Sequence, residues 1–189
     1  ATVCRMRDDN GRVVEERYLD ANGDPVARYG DYYGVSYEYD ETSTVITYLD
    51  AEGNPVKRSV GYSTLVRTMV DGRAYDDFYY DLNGQQVQCS GGYYGIHCEY
   101  NAEGQSTSLT FLNEDGRAVC ISFGYAIKTY QRDGNGTVVS EQYFDTEGNP
   151  ARASLGQYGE LYQHNEQGYI GQITYLDADG NPAPTNAGY

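Results

Sequence analysis

One recurring phrase limits what this chain can fold into. Its clearest copy is Tyr175-Leu176-Asp177-Ala178-Asp179-Gly180-Asn181-Pro182. It returns at Tyr18-Leu19-Asp20-Ala21-Asn22-Gly23-Asp24-Pro25, at Tyr48-Leu49-Asp50-Ala51-Glu52-Gly53-Asn54-Pro55 and at Tyr143-Phe144-Asp145-Thr146-Glu147-Gly148-Asn149-Pro150. Looser copies stand at Tyr80-Asp81-Leu82-Asn83-Gly84 and Leu112-Asn113-Glu114-Asp115-Gly116. Aligning Asp20, Asp50, Asp81, Asn113, Asp145 and Asp177 gives steps of 30, 31, 32, 32 and 32 residues. A fixed period of this size marks a tandem array in which one supersecondary unit stacks on the next. The 189 residues are expected to form one array of six units, each built around one of these turns.

The turn chemistry names the unit. Asx at the first position and Gly at the fourth suit a type I turn followed by a left-handed residue, which joins antiparallel strands through a glycine bulge. A second turn of the same kind recurs at Asp8-Asp9-Asn10-Gly11, Asn101-Ala102-Glu103-Gly104, Asp133-Gly134-Asn135-Gly136 and Asn165-Glu166-Gln167-Gly168. Turn-to-turn distances alternate between 12 and 20 residues, and two copies shorten the first arm to 10. Losing two residues preserves the in/out alternation of a strand, whereas it would rotate a helical face by roughly 200°. The short arm is one strand. The long arm, broken at Gly61-Tyr62, Gly92-Tyr93, Gly124-Tyr125 and Gly188-Tyr189, is expected to hold two strands joined by a bend. Alternation such as Tyr33/Val35/Tyr37/Tyr39 supports half-buried strands, and no stretch makes a convincing helix.

The fold class is therefore all-β, with antiparallel hairpin or three-strand repeats. The tail Gly188-Tyr189 joined to the head Ala1-Thr2-Val3 resembles Gly124-Tyr125-Ala126-Ile127-Lys128, which points to six whole repeats. Ala1 in place of an initiator Met points to a processed chain or an excerpt of a longer one. Two architectures accommodate six repeats: an open, solenoid-like array, which we favour, and a closed six-bladed propeller. Propeller blades usually need four strands and more residues than these units have.

The core must be thin. Mean hydropathy is −0.69, and 22 tyrosines occur with no tryptophan. Tyrosine combines strand preference with an apolar face and a polar tip. Stacked at equivalent positions (Tyr33 and Tyr94, or Tyr32, Tyr62, Tyr93 and Tyr125), the rings would form ladders that replace a missing core. Exposed instead, Tyr32, Tyr62, Tyr93 and Tyr125 would offer platforms for sugars beside Asp and Asn acceptors.

The recurring Tyr-Leu-Asp-x-x-Gly-Asn-Pro-Val and Gly-Tyr phrases resemble the tandem arrays of secreted and surface proteins of gut-type Firmicutes. More distantly they are similar to the aromatic-Asp-x-x-Gly hairpins of choline- and glucan-binding cell-wall repeats and clostridial toxin repeats. Tyr39-Asp40 and Tyr80-Asp81 are similar to the YD repeats of Rhs-type shells. The resemblance implies an extracellular or cell-surface β-hairpin array used as a stalk, shell or glycan binder. The tryptophans that line the ligand cage of choline-binding repeats have no counterpart here.

A formal charge of −15 argues against nucleic acid and anionic membranes as partners, and no apolar run is long enough to span a membrane. His97 and His164 occupy non-equivalent repeat positions and fit no nucleophile or metal motif, so no catalytic residue, metal ligand or cofactor is assigned. Asp177-x-Asp179-x-Asn181 has Pro182 where a calcium loop needs glycine, which favours a structural turn. Among Cys4, Cys89, Cys98 and Cys120, the pair Cys89–Cys98 flanks the Gly91-Gly92 bend and is the first candidate for a disulfide. Cys120 is a rival partner, and free buried thiols are the alternative. Asn135-Gly136-Thr137 is a glycosylation sequon at a turn tip. The expected role is a non-enzymatic structural repeat that pairs with itself end to end or edge to edge; a glycan-binding module is the second reading.

Overall fold

The computed structural model describes residues 2–186. These residues hold twelve antiparallel strands and no helix. The strands are β1 (Thr2–Arg7), β2 (Val13–Leu19), β3 (Gly34–Tyr39), β4 (Ser43–Leu49), β5 (Thr64–Val70), β6 (Arg73–Tyr80), β7 (Gly95–Tyr100), β8 (Ser106–Leu112), β9 (Ile127–Arg132), β10 (Val138–Phe144), β11 (Gly159–His164) and β12 (Ile170–Leu176). Sheet order is chain order, and β1 and β12 do not pair, so the array is open. The closed propeller is not formed. Successive hairpins pair with each other, β2 with β3 and β4 with β5, where propeller blades would be separate sheets. The register match through Gly188, Tyr189 and Ala1 lies outside the described residues. Packing divides the chain into two compact units, residues 1–95 and 96–189.

In the first unit, β1 to β6 make three hairpins. Each organising turn closes as its sequence demands. After β2, the Asp20 carboxylate accepts from the backbone N–H of Asn22 (2.8 Å) and Asp24 (3.0 Å), and Gly23 takes φ +89°. Asp50 and Asp81 repeat this capping after β4 and β6. Pro25 and Pro55 face Leu19 and Leu49 in isolated bridges. The flanking bonds, Asp20 N to Asp24 O and Val26 N to Tyr18 O, make this a pair that needs no donor from the proline. The β5–β6 tip is a two-residue turn, with Asp71 and Gly72 at φ 49° and 76°, as a type I′ hairpin requires. Despite its shorter arm, Tyr79 still packs with Tyr62 and Leu65, so the two-residue deletion kept the face as expected.

The long arm differs from expectation. Only its second half is a strand. The first half is an excursion that reverses within four residues: Arg58 N donates to Tyr62 O and Gly61 N to Arg58 O, with Gly61 at φ +109°. No room remains for a strand longer than the single bridge at Pro55. The excursion instead packs against the sheet, placing Val26, Val56, Val60 and Val87 on the clusters around Tyr18 and Tyr62.

The second unit repeats these devices between β8 and β12. Asn113, Asp145 and Asp177 cap their own turns, and Gly124 and Gly156 make the excursion turns at φ 97° and 96°. At Gly159 a Cβ would meet the Glu141 carbonyl at 2.5 Å, so β11 can approach β10 this closely only with glycine there.

Candidate functional site

The tyrosines form the most developed feature. In the first unit six rings follow one another: Tyr18, Tyr32, Tyr48, Tyr62, Tyr79 and Tyr93. Successive centroids lie 5.8, 4.9, 5.9, 4.4 and 5.9 Å apart, within the range of favourable edge-on or offset pairs. Strand rings (Tyr18, Tyr48, Tyr79) alternate with excursion rings (Tyr32, Tyr62, Tyr93). The expected ladder of Tyr32, Tyr62, Tyr93 and Tyr125 alone is therefore corrected: two series interleave, because each excursion folds its ring between the strand rings of neighbouring repeats. Tyr32 and Tyr62 are 7% and 9% exposed and present no free face to a sugar. Tyr93 and Tyr125 are half-buried.

Ionic contacts stitch the same repeats. The Arg58 guanidinium lies 5.0, 4.4 and 5.6 Å from the centroids of Tyr32, Tyr48 and Tyr62, and its Nε donates to Asp31 Oδ2 at 3.0 Å. Asp31, in the preceding excursion, also accepts from the Ser59 N–H at 2.8 Å. Arg17 Nη1 donates to the Asp50 carbonyl at 3.1 Å.

Two residues before each strand ring the sequence carries Glu16, Ile46, Asp77, Leu109, Glu141 and Ile173, an acid and an aliphatic residue in turn. Each acid meets a cation. Glu16 binds Arg5 at 2.6 Å, Asp77 takes a two-pronged contact from Arg67 at 2.7 Å, and Glu141 binds Lys128 at 3.2 Å. Ile46 and Ile173 instead face Tyr37 and Tyr162. The array thus repeats in pairs of units, a signal the turn spacing conceals. Burial, with Glu16 beside it, pushes the Tyr37 phenol up to about 12.

The second unit has only part of this ladder. Phe111 meets Tyr125 edge-on at 5.9 Å, and Tyr125 stacks on Tyr143 at 4.5 Å. Gln157 stands where the next excursion ring is due. It is 6% exposed, its Nε2 donates to Glu160 Oε1 at 3.2 Å, and its Oε1 is the one buried side-chain polar atom among the described residues without a partner. Glu160 lies directly opposite Glu141 across β10 and β11, and also accepts from the Tyr162 hydroxyl at 3.0 Å. Burial raises the Tyr143 phenol far above the ordinary tyrosine value, with Glu160 and Glu141 adding to it. Burial alone would lower Lys128, and Glu141 together with the Tyr130 and Tyr125 phenols more than offsets that, so its ammonium is held above the usual lysine value. A cavity of about 190 Å³ opens here, lined by Phe123, Tyr125, Tyr143, Gln157 and Glu160 among others. Phe123 is 56% exposed at its mouth. Neither Gln157 nor Glu160 stood out in the sequence; the one available signal was the missing tyrosine after Gly156.

The remaining candidates separate. None of the four cysteines is joined in a disulfide, so the Cys89–Cys98 bridge is not formed. Cys89 is buried against Tyr62, Leu65 and Tyr79, where it serves as packing. Asn135 is exposed at the β9–β10 tip, its N–H held by Asp133 Oδ1. His97 and His164 are half-buried on β7 and β11. Among the described residues no group of three or more His, Cys, Asp or Glu side chains is placed to hold a metal ion, and no helix is long and apolar enough to cross a membrane.

The meander and its interleaved rings define the class: an open antiparallel β-repeat array. No protein-family profile matches the chain, and no curated protein matches it.

Proposed function

We propose that this chain is a non-enzymatic structural repeat protein of the cell surface or extracellular space, a stalk or a head-to-tail filament subunit. The observation that supports it most is the seating of the Tyr32, Tyr62 and Tyr125 rings between the strand rings of two repeats, reinforced by the Arg58–Asp31 contact. Each repeat gains its core from the one beside it, so the natural product of adding repeats is length. The organising carboxylates serve their own turns, which leaves them poorly placed for acid–base work. A polysaccharide microarray tests the reading: the scaffold predicts no saturable binding to any glycan.

A second reading rests on the cavity beside Gln157. Phe123 and Tyr125 offer ring faces, and Gln157 and Glu160 offer acceptors, the combination a sugar ring uses. Saturable binding on the array that is lost in both Phe123→Ala and Tyr125→Ala would favour this reading over the scaffold.

A further inference from the structure

One position of the repeat decides what lies against the rings. Ala153 stands as far after Asp145 as Arg58 stands after Asp50, Cys89 after Asp81 and Ile121 after Asn113. Arg58 carries its guanidinium to the strand ring Tyr48 and the preceding excursion ring Tyr32, and Asp31 holds it there. Cys89 and Ile121 bury apolar side chains instead. Ala153 is too short to do either. Its strand ring is Tyr143 and its preceding excursion ring is Tyr125, and with Ala153 they line the cavity of about 190 Å³ inside the second unit.

The rest of the lining lacks a cation. Glu160 lies opposite Glu141, and Lys128 pairs with Glu141 at 3.2 Å. Among the described residues Glu160 receives only neutral donors, the Tyr162 hydroxyl at 3.0 Å and Gln157 Nε2 at 3.2 Å. Gln157 Oε1, in a side chain 6% exposed, receives no donor. Arg152, beside Ala153 in sequence, is turned elsewhere: its Nε donates to the Gly156 carbonyl at 3.0 Å and its Nη2 to Asn186 Oδ1 at 2.8 Å.

We propose that this cavity takes a guanidinium group from outside the chain, which supplies to Glu160 and Gln157 the charge and donors that Arg58 supplies to Asp31 within it. Oε1 is buried as it stands. A half-turn of the amide gives up only the Nε2 bond to Glu160 and brings Oε1 toward the same carboxylate, an arrangement that needs a donor between the two oxygens. A guanidinium presents several N–H donors in one plane and serves both acceptors at once. Its flat faces also suit the Phe123, Tyr125 and Tyr143 rings of the lining. Phe123, 56% exposed, leaves the mouth open to solvent.

The inference is independent of the scaffold reading, and a titration of the whole chain with methylguanidinium, followed by NMR, tests it. At physiological ionic strength, where the attraction of a net charge of −15 is screened, the Gln157 side-chain amide and the Tyr125 and Tyr143 ring signals should shift saturably. Glu160→Gln, which removes the charge and keeps the shape, should weaken binding by about tenfold or more. Glu147→Gln removes the same charge from an exposed turn and should bind like wild type. Ala153→Arg supplies a guanidinium from the chain itself and should abolish binding of the free one. Should that variant lose its β-sheet circular dichroism, Glu160→Gln against Glu147→Gln decides the matter. Tetramethylammonium, a cation without N–H donors, should bind at least about tenfold more weakly. Binding of methylguanidinium that is absent, unchanged in Glu160→Gln or matched by tetramethylammonium overturns the inference, and displacement by glucose overturns it in favour of the sugar reading. N-acetylarginine amide distinguishes the source: binding at least as tight assigns the group to an arginine of a polypeptide, and weaker binding assigns it to a small free guanidine.

Discussion

The two units are built from the same turns but filled differently. In the first, the position after each excursion carries Val35 and Leu65, 4% and 5% exposed, and the rings run unbroken from Tyr18 to Tyr93. In the second, the equivalent positions after the Gly124 and Gly156 turns are Lys128 and Glu160, and the ladder meets Gln157 after Tyr143. Aliphatic packing has been exchanged for a polar network with one acceptor unmet and two carboxylates face to face. Unmatched buried polar atoms and opposed like charges both cost stability. Identical backbone devices therefore support unequal cores: the turns set the architecture, and the rings and aliphatic residues set its strength.

The largest test of that contrast is ring removal. Tyr79→Ala deletes a buried ring stacked on Tyr62 and edge-on to Tyr93 and should cost about 3–5 kcal/mol in urea unfolding. Tyr143→Ala loses one ring neighbour rather than two, so its cost should be smaller by about 0.5–1.5 kcal/mol; equal costs would break the comparison. Next comes repair. Gln157→Tyr restores the ladder pattern and removes the orphan acceptor, and should raise the stability of the second unit by about 1–2 kcal/mol. A neutral or destabilising result would mean that the polar network is self-sufficient.

Acid gives the smallest effect. Backbone N–H donors, chiefly those of Asp24, Asn54 and Gln85, hold Asp20, Asp50 and Asp81 below the ordinary aspartate value. Asn149 does the same for Asp145, whereas Asn113 cannot titrate. A carboxylate with a depressed folded pKa contributes stability that is complete above its unfolded pKa, about 3.9, and vanishes as pH falls through the folded value. Lowering pH below about 4 should therefore loosen the organising turns of the first unit before that at Asn113. Amide signals followed by NMR would show it, and simultaneous loss would remove the distinction.

Much of the fold was legible because it is local. Asx and Gly dictate their turn within four residues, so Asp20, Asp50, Asp81, Asn113, Asp145 and Asp177 announce the hairpins wherever the chain goes next. The long arm was misread as two strands because Gly61 and Gly92 look like a bend in sequence, and only the bond from Arg58 N to Tyr62 O reveals a full reversal. That reversal carries the excursion rings between the strand rings, a tertiary placement that periodicity does not encode.

The central claim is that neighbouring repeats hold each other through ring contacts, and a double-mutant cycle on Tyr62 and Tyr79, stacked at 4.4 Å, tests it most directly. Leucine at each position, alone and together, measured by urea unfolding, should give a favourable coupling of about 0.5–1.5 kcal/mol. Losses that simply add, within about 0.3–0.5 kcal/mol, would contradict the claim and leave the turns and backbone pairing alone to hold the array.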